Sequence, residues 1–413
     1  MARLLQDRQV YGPPSANPDK CLANLRLIRS RRVGPATFHR LLAEHGNAEA
    51  ALDALPALAR AAGLDDYEPC PIEAALAEMD AGRRAGARMI IWDDPDYPER
   101  LREITDAPPV LWVRGKLSVL ENLPVAVIGA RNASSLGLRM ARGLAIGLSE
   151  AGAAIIAGLA RGIDTTAHEA SLGSGTVAVM AGGIDQIYPS ENAALAEAIC
   201  ETGFLVTEQP PGTEPVARHF PARNRIISGL SRAVVVIEAA QRSGSLITAK
   251  AALDQGREVM AVPGHPMDAR ASGCNALIRD GATLVRNAQD VLTALSVDLP
   301  EPFPQKSLAL VETPLPEPIR ATGPDSNNNA RRLAQFPQGT VAGLKAITSS
   351  DRGGPAQLEA RILARLGPSP TDENHVIRDL GLPAAALAPA ILSLELAGRV
   401  QRLAGGRIAL VQD

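Results

Sequence analysis

The residues able to do chemistry are concentrated between positions 129 and 248. Four short stretches there are rich in glycine, three of them with arginine: Gly129-Ala130-Arg131-Asn132, Gly158-Leu159-Ala160-Arg161-Gly162-Ile163-Asp164, Gly182-Gly183 and Arg242-Ser243-Gly244-Ser245. Glycine lets a backbone approach a ligand closely, and the free N–H groups at a helix start favour an anion. Arg131 and Arg161 add forked, permanently charged donors that match phosphate oxygens. Ser245 carries a hydroxyl suited to capping the helix that follows. This is the chemistry of holding phosphates. No Ser or Cys is marked as a nucleophile by its context. His168 follows Asp164 by one turn, a spacing that permits acid–base work, but the pair reads as structural, with Asp164 a helix cap. No catalytic residue is assigned.

The segment His219-Phe220-Pro221-Ala222-Arg223-Asn224-Arg225 is the most unusual in the chain. From Ala217 to Arg257 there are seven Arg or Lys and two acids, although the whole chain has a formal charge of −3. A local basic excess of this kind suits a polyanion. Phe220 stands beside these arginines in a chain with five phenylalanines, and a ring next to Arg on a loop is how a single-strand binder stacks a base. The plainer alternative is a core Phe220 beside solvated arginines. Arg223 and Arg225 lie two apart, so a helix would send them to different faces, one toward a ligand and one inward.

Other chemistries fit less well. A dinucleotide fingerprint needs Gly-x-Gly-x-x-Gly, but Arg131 and Ser134 stand where its second and third glycines belong. The next strand ends in Gly158 rather than in the acid that would hold a ribose. Cys21, Cys70, Cys200 and Cys274 are scattered, without a Cys-x-x-Cys pair or clustered histidines, so no metal site or disulfide framework is expected. No cofactor is expected either. The small net charge excludes a globally basic nucleic-acid binder, and an aromatic content of 3% excludes a surface paved with stacking rings. The N-terminus lacks the apolar run of a signal peptide, and no apolar segment reaches the length of a membrane span. A cytoplasmic protein is expected.

These loops need a scaffold. Apolar runs at 124–130, 153–158, 176–183, 204–209, 233–239, 258–264 and 283–286 alternate with segments of helical spacing. Near-continuous Val, Ile and Ala predict strands buried on both faces, hence a parallel sheet covered by helices. The predicted class is α/β, an extended Rossmann-like doubly wound sheet, in which ligands sit beyond the carboxyl ends of the strands. Residues 1–70 read as an N-terminal helical domain. Its Arg32-Val33-Gly34-Pro35 resembles a helix–hairpin–helix turn, though an ordinary helix connection is the simpler reading. The Rossmann-like domain takes 71–296, with short edge strands at 87–92 and 109–115. A linker spans 297–337, marked by eight prolines and the run Ser326-Asn327-Asn328-Asn329. Residues 338–413 form the last domain, with three short helices and then two apolar runs around Gly405-Gly406, the order of a winged helix.

Six blocks in this order closely resemble the DNA-processing protein A (DprA/Smf) family: VIGARNASSLG from 127, AGLARGIDTTAH from 157, AGGIDQIYPSEN from 181, HFPARNRIISGLS from 219, VVVIEAAQRSGSLITA from 234 and AVPGHP from 261. The strong resemblance covers about 90–290. The N-terminal helices resemble that family's SAM-like or helix–hairpin–helix domain, and the C-terminal piece its winged helix. The resemblance implies a recombination mediator that binds and protects incoming single-stranded DNA and helps load RecA in natural transformation. It implies a homodimer through the Rossmann-like domain. Carried onto this sequence, it implies a strand path along Gly129, Arg131, Gly158, Arg161, Gly162, Gly182, His219, Phe220, Arg223, Asn224, Arg225, Ser243, Gly244 and Ser245. One departure concerns the Tyr-Pro-x-x-Asn block, where Ser190 and Glu191 stand in place of the family's frequent basic residue.

Two other functions are weighed against this one. A nucleotide phosphoribohydrolase of related fold would carry a catalytic Glu after Pro-Gly-Gly-x-Gly-Thr, whereas Ser243-Gly244-Ser245-Leu246-Ile247-Thr248 has none. A duplex-reading regulator would need basic side chains on its recognition helix, and LPAAALAPAILSLELAG contains no Lys or Arg. That domain is expected to pack or to bind protein.

Overall fold

The computed structural model describes residues 17–296, 355–366, 370–403 and 407–411. The expected linker at 297–337 and the turn at Gly405-Gly406 lie outside the described residues.

One nine-stranded sheet comprises β1 (Arg88–Ile91), β2 (Val110–Gly115), β3 (Leu123–Ile128), β4 (Ala153–Ala157), β5 (Thr176–Val179), β6 (Phe204–Thr207), β7 (Ala233–Val236), β8 (Glu258–Ala261) and β9 (Thr283–Leu284). Its order is β1-β2-β6-β5-β4-β3-β7-β8-β9. The strands from β3 onward pair in parallel, and β2 and β1 close one edge antiparallel. The α/β doubly wound class expected from the apolar runs is the observed one. Strands β4 to β7 are buried at every position. Because successive side chains alternate between faces, one strand serves two layers. On one face Ile128, Ile156 and Val236 share a core with Ile226, Leu230 and Ala249; on the other, Ala178 and Leu205 meet Ala196 and Ile199. Some apolar runs outlast their strands. Met180, Ala181 and Ile184 lie past the end of β5 and are still buried, so burial rather than strand pairing explains their type.

Helices α1 (Pro18–Arg29), α2 (Pro35–His45) and α3 (Ala48–Ala61) form the N-terminal layer. Pro18 and Pro35 open two of them, where a missing N–H costs nothing. Leu27, Phe38, Leu41, Leu52 and Leu55 make their common core, while Cys21 and Leu25 of α1 pack on Ile91 and Val110 at the sheet edge. The sheet is covered by α4 (Ile72–Arg84), α5 (Glu99–Arg102), α6 (Ser135–Glu150), α7 (Ile163–Ser171), α8 (Ala193–Thr202), α9 (His219–Leu230), α10 (Gly244–Asp254), α11 (Ser272–Arg279) and α12 (Ala288–Ala294). The segment expected as a ring-bearing loop is therefore a helix, α9.

The C-terminal elements are α13 (Pro355–Arg365), β10 (Thr371–Asp372), α14 (Glu373–Leu380), α15 (Ala384–Leu396), β11 (Val400–Leu403) and β12 (Arg407–Leu410). They have winged-helix order, with β10 adding a third strand beside β12. Ile362, Val376, Leu387, Ile391 and Ile408 form a separate core. Among the described residues no helix is long and apolar enough to cross a membrane.

Candidate nucleic-acid interface

The chain lays β4, β5 and β6 on one side of β3, then returns to place β7, β8 and β9 on the other. Loops leaving β3 and β7 diverge at this switch point and open a crevice at the carboxyl ends of the strands. The cleft there has a volume of about 830 Å³. Gly129, Arg131, Phe220, Arg223, Arg242 and Ser243 are among its lining residues.

The loop after β4 is held from beneath. Gly162 has φ 78° and caps α7, and a Cβ there would sit 2.5 Å from the carbonyl oxygens of Ala130 and Arg131. Asp164, expected as the cap, lies inside α7. Its Oδ2 instead accepts from the Gly158 N–H at 2.9 Å and the Ala160 N–H at 3.4 Å, tying the loop down. Burial raises the Asp164 carboxyl, against the nearby Arg223 and these two N–H groups. Arg223 is only 6% exposed. Its Nη1 donates to Gly158 O at 2.5 Å and to Val179 O at 2.7 Å. Burial lowers its pKa to about 10, against the nearby Asp164, so it remains a cation at neutral pH.

His168 is structural. The Thr176 hydroxyl donates to Ile155 O at 2.7 Å, so it accepts from His168 Nδ1, 2.8 Å away. Nε2 is then a bare acceptor in a fully buried ring, and burial, with Arg223 nearby, pulls the imidazole down to about 3.

Phe220 is the second residue of α9, and two arginines and a tyrosine gather around its ring. The Arg131 guanidinium stands 4.9 Å from the ring centroid, Arg223 lies 6.0 Å away, and Tyr188 meets the ring edge-on at 5.8 Å. Arg131 is exposed and forms no ion pair among the described residues. A second recess of about 440 Å³ opens beside the first, lined by Arg161, Tyr188 and Glu191. Arg131 and Phe220 line both recesses and form the ridge between them. On the β7 side the cap of α10 is Ser243, not Ser245; Ser243 Oγ accepts from Ser245 N at 3.4 Å and lies 2.6 Å from Ser245 Oγ. Asn224 Nδ2 donates to Gly244 O at 3.3 Å and ties α9 to this turn.

Of the residues on the expected strand path, Gly129, Arg131, Gly158, Arg161, Gly162, Phe220, Arg223, Asn224, Ser243, Gly244 and Ser245 thus come together around the two recesses. Three do not. Arg225 turns to the other face of α9, 13% exposed, where it pairs with Glu208 at 2.5 Å and Asp106 at 3.1 Å. Gly182 packs against the 213–215 loop, and its carbonyl accepts from Thr207 Oγ1 at 2.8 Å. His219 opens α9, and its Nδ1 accepts from Val216 N at 3.4 Å. Arg161 is at the recess but is clasped by Glu191 through two hydrogen bonds of 2.7 and 2.9 Å.

A family model described as DNA recombination-mediator protein A matches residues 88–296, the span that builds this crevice. The chain belongs to that family. Two further models match the flanks: a DprA-like N-terminal HHH domain at 18–81 and a DprA winged helix domain at 349–406. The DNA processing protein DprA of Streptococcus pneumoniae R6 is 46% identical over 201 residues, 48% of this chain and 71% of that protein. Protein Smf of Escherichia coli K12 is 36% identical over 321 residues, 77% of this chain and 76% of that one. The X-ray structure of DprA from Streptococcus pneumoniae superimposes with a TM-score of 0.50 at 34% identity, covering 64% of this chain and 98% of that one.

Reading the sequence missed Tyr188, which is 53% exposed and borders Phe220. Arg242, named in a phosphate-holding stretch but left off the expected strand path, is exposed on the cleft wall. Tyr188 carried a signal, as one of four tyrosines beside a proline in an expected loop. Arg242 was visible next to Ser243.

Proposed function

We propose that this chain is a recombination mediator that binds single-stranded DNA across the ridge formed by Arg131 and Phe220. One observation carries the reading: an exposed arginine without an acidic partner among the described residues lies against a ring, between two recesses floored by glycine loops and helix starts. A guanidinium serves a phosphate and a ring face serves a base, and a strand offers both in alternation. A free mononucleotide would use one recess and leave the other idle.

Gly129, Gly158, Gly162, Ser243, Gly244 and Ser245 would bring backbone and hydroxyl donors to phosphates, with Arg131 and Arg242 as the charged partners. Arg223 and Asn224 shape the floor. Family membership supports the further roles of protecting incoming strands, loading RecA in natural transformation and acting as a homodimer. The chain acts by binding, without catalysing a reaction.

The test is a salt-series titration of the full chain with oligothymidylate and with a duplex of equal length. Tighter binding of the single strand, with a slope that falls in Arg131→Ala, is the expected result. Equal affinity for both nucleic acids, or release of a base from a nucleotide, overturns the reading.

A further inference from the structure

The crevice is not bordered by the Rossmann-like domain alone. Leu363, Ala364 and Leu366, at the carboxyl end of α13, and Leu410 of β12 form one of its walls. Three arginine contacts hold that wall in place. Arg270, from the loop after β8, donates to Ala364 O at 2.6 Å and also to Leu366 O. Arg365, the last residue of α13, donates back to Ala133 O at 2.5 Å, in the loop that also bears Arg131. Arg139 of α6 donates to His375 Nδ1 of α14 at 2.6 Å.

The chemistry of this wall is wrong for a phosphate. A helix carboxyl end presents bare carbonyl oxygens and the negative end of its dipole. Here those carbonyls take the place an anion would take, on a guanidinium that lines the crevice. Asp268 holds Arg270 from behind, at 3.1 Å through both Nε and Nη2, and aims it at them. The leucines beside them offer no donor. Arg365 enters the second recess, yet it spends a donor on a backbone carbonyl of the opposite domain. The docked helix end thus takes a ligand's place on Arg270 and covers that part of the crevice wall.

We propose that the winged-helix domain is an intramolecular competitor of the strand: its α13 end docks on the crevice and occupies Arg270, and single-stranded DNA binds by displacing it. This rests on the crevice being the strand site. Apparent affinity is then the intrinsic affinity multiplied by the fraction of molecules that are undocked. α15, without Lys or Arg, suits a domain that is moved aside rather than one that grips DNA.

The full chain is titrated with oligothymidylate as the parent, as Arg365→Ala, as His375→Ala and as the double variant. His375 is bonded to α6 and does not line the crevice, so its loss affects docking without removing a cation from the site. Each single variant is expected to bind about threefold more tightly and the double about tenfold. Weaker binding by Arg365→Ala overturns the proposal and makes Arg365 a strand contact. Unchanged affinity in all variants overturns it while leaving the strand site intact. Absence of binding throughout removes both readings. Neutron scattering of the parent, with the oligonucleotide contrast-matched, reads displacement without mutation. The protein's radius of gyration should grow on saturation, and a constant radius refutes the displacement.

Discussion

The Arg223 guanidinium lies where any side chain at position 158 would have to go. Its Nη1 donates to Gly158 O at 2.5 Å, and a Cβ on Gly158 would collide with three of its atoms. Gly158→Ala must therefore move Arg223 or the loop. Overpacking of this kind costs about 1–3 kcal/mol. Urea denaturation should show a lower midpoint, and strand affinity should fall with it. A variant as stable as the parent would show that the loop can yield.

Arg131 and Arg225 should separate cleanly in experiment. Arg131→Ala is expected to weaken single-strand binding and to reduce the slope of log K against log salt by about 0.7, one phosphate's worth. Arg225→Ala leaves Glu208, itself 16% exposed, without its cation. Removing one partner of a largely buried pair costs about 3 kcal/mol. Arg225→Ala should melt early and keep the parental salt slope; a reduced slope would place Arg225 on the strand after all.

Glu191 competes with phosphate for Arg161. Both groups are exposed, so the pair adds little to stability. Glu191→Gln should leave the melting temperature within a degree or so of the parent and tighten single-strand binding by about threefold, with a steeper salt dependence. A loss of affinity would mean that Arg161 needs Glu191 to hold its position.

The ring of Phe220 should act through stacking alone. Phe220→Ala is expected to cost about 1–3 kcal/mol of binding with no change in salt slope, and Phe220→Tyr to restore most of it. Equal losses in both variants would point to packing around Arg223 instead.

Acid should destabilise the fold through His168. Its imidazole is held near 3 in the native state, so it stays neutral while the unfolded chain takes up a proton below about 6.5. Stability is complete above about 6.5 and is lost as pH falls through the window toward 3, by up to about 1.4 kcal/mol per unit. Between pH 7.5 and 5.5 the parent should lose about 1.4 kcal/mol more than His168→Gln. Parallel losses would show that another group drives the acid response.

The sequence by itself determined the sheet. Burial on two faces demands an unbroken Val/Ile/Ala run, and this local signal marked β4 to β7 without reference to any neighbour. It also determined the glycine loops at the strand ends, since the type of residue reports the backbone geometry required there. It marked Arg223 and Arg225 for opposite faces of a helix without saying which face held the ligand. Only the tertiary structure decided that, because Glu208 and Asp106 come from other elements and capture Arg225. The same holds for Arg161, whose partner Glu191 lies 30 residues on, and for Ser243 rather than Ser245 as the cap of α10. The contact between Arg365 and Ala133 spans 232 residues and left no trace in any local pattern. A side chain's type announces what it can bind. Which partner reaches it first is settled by the fold.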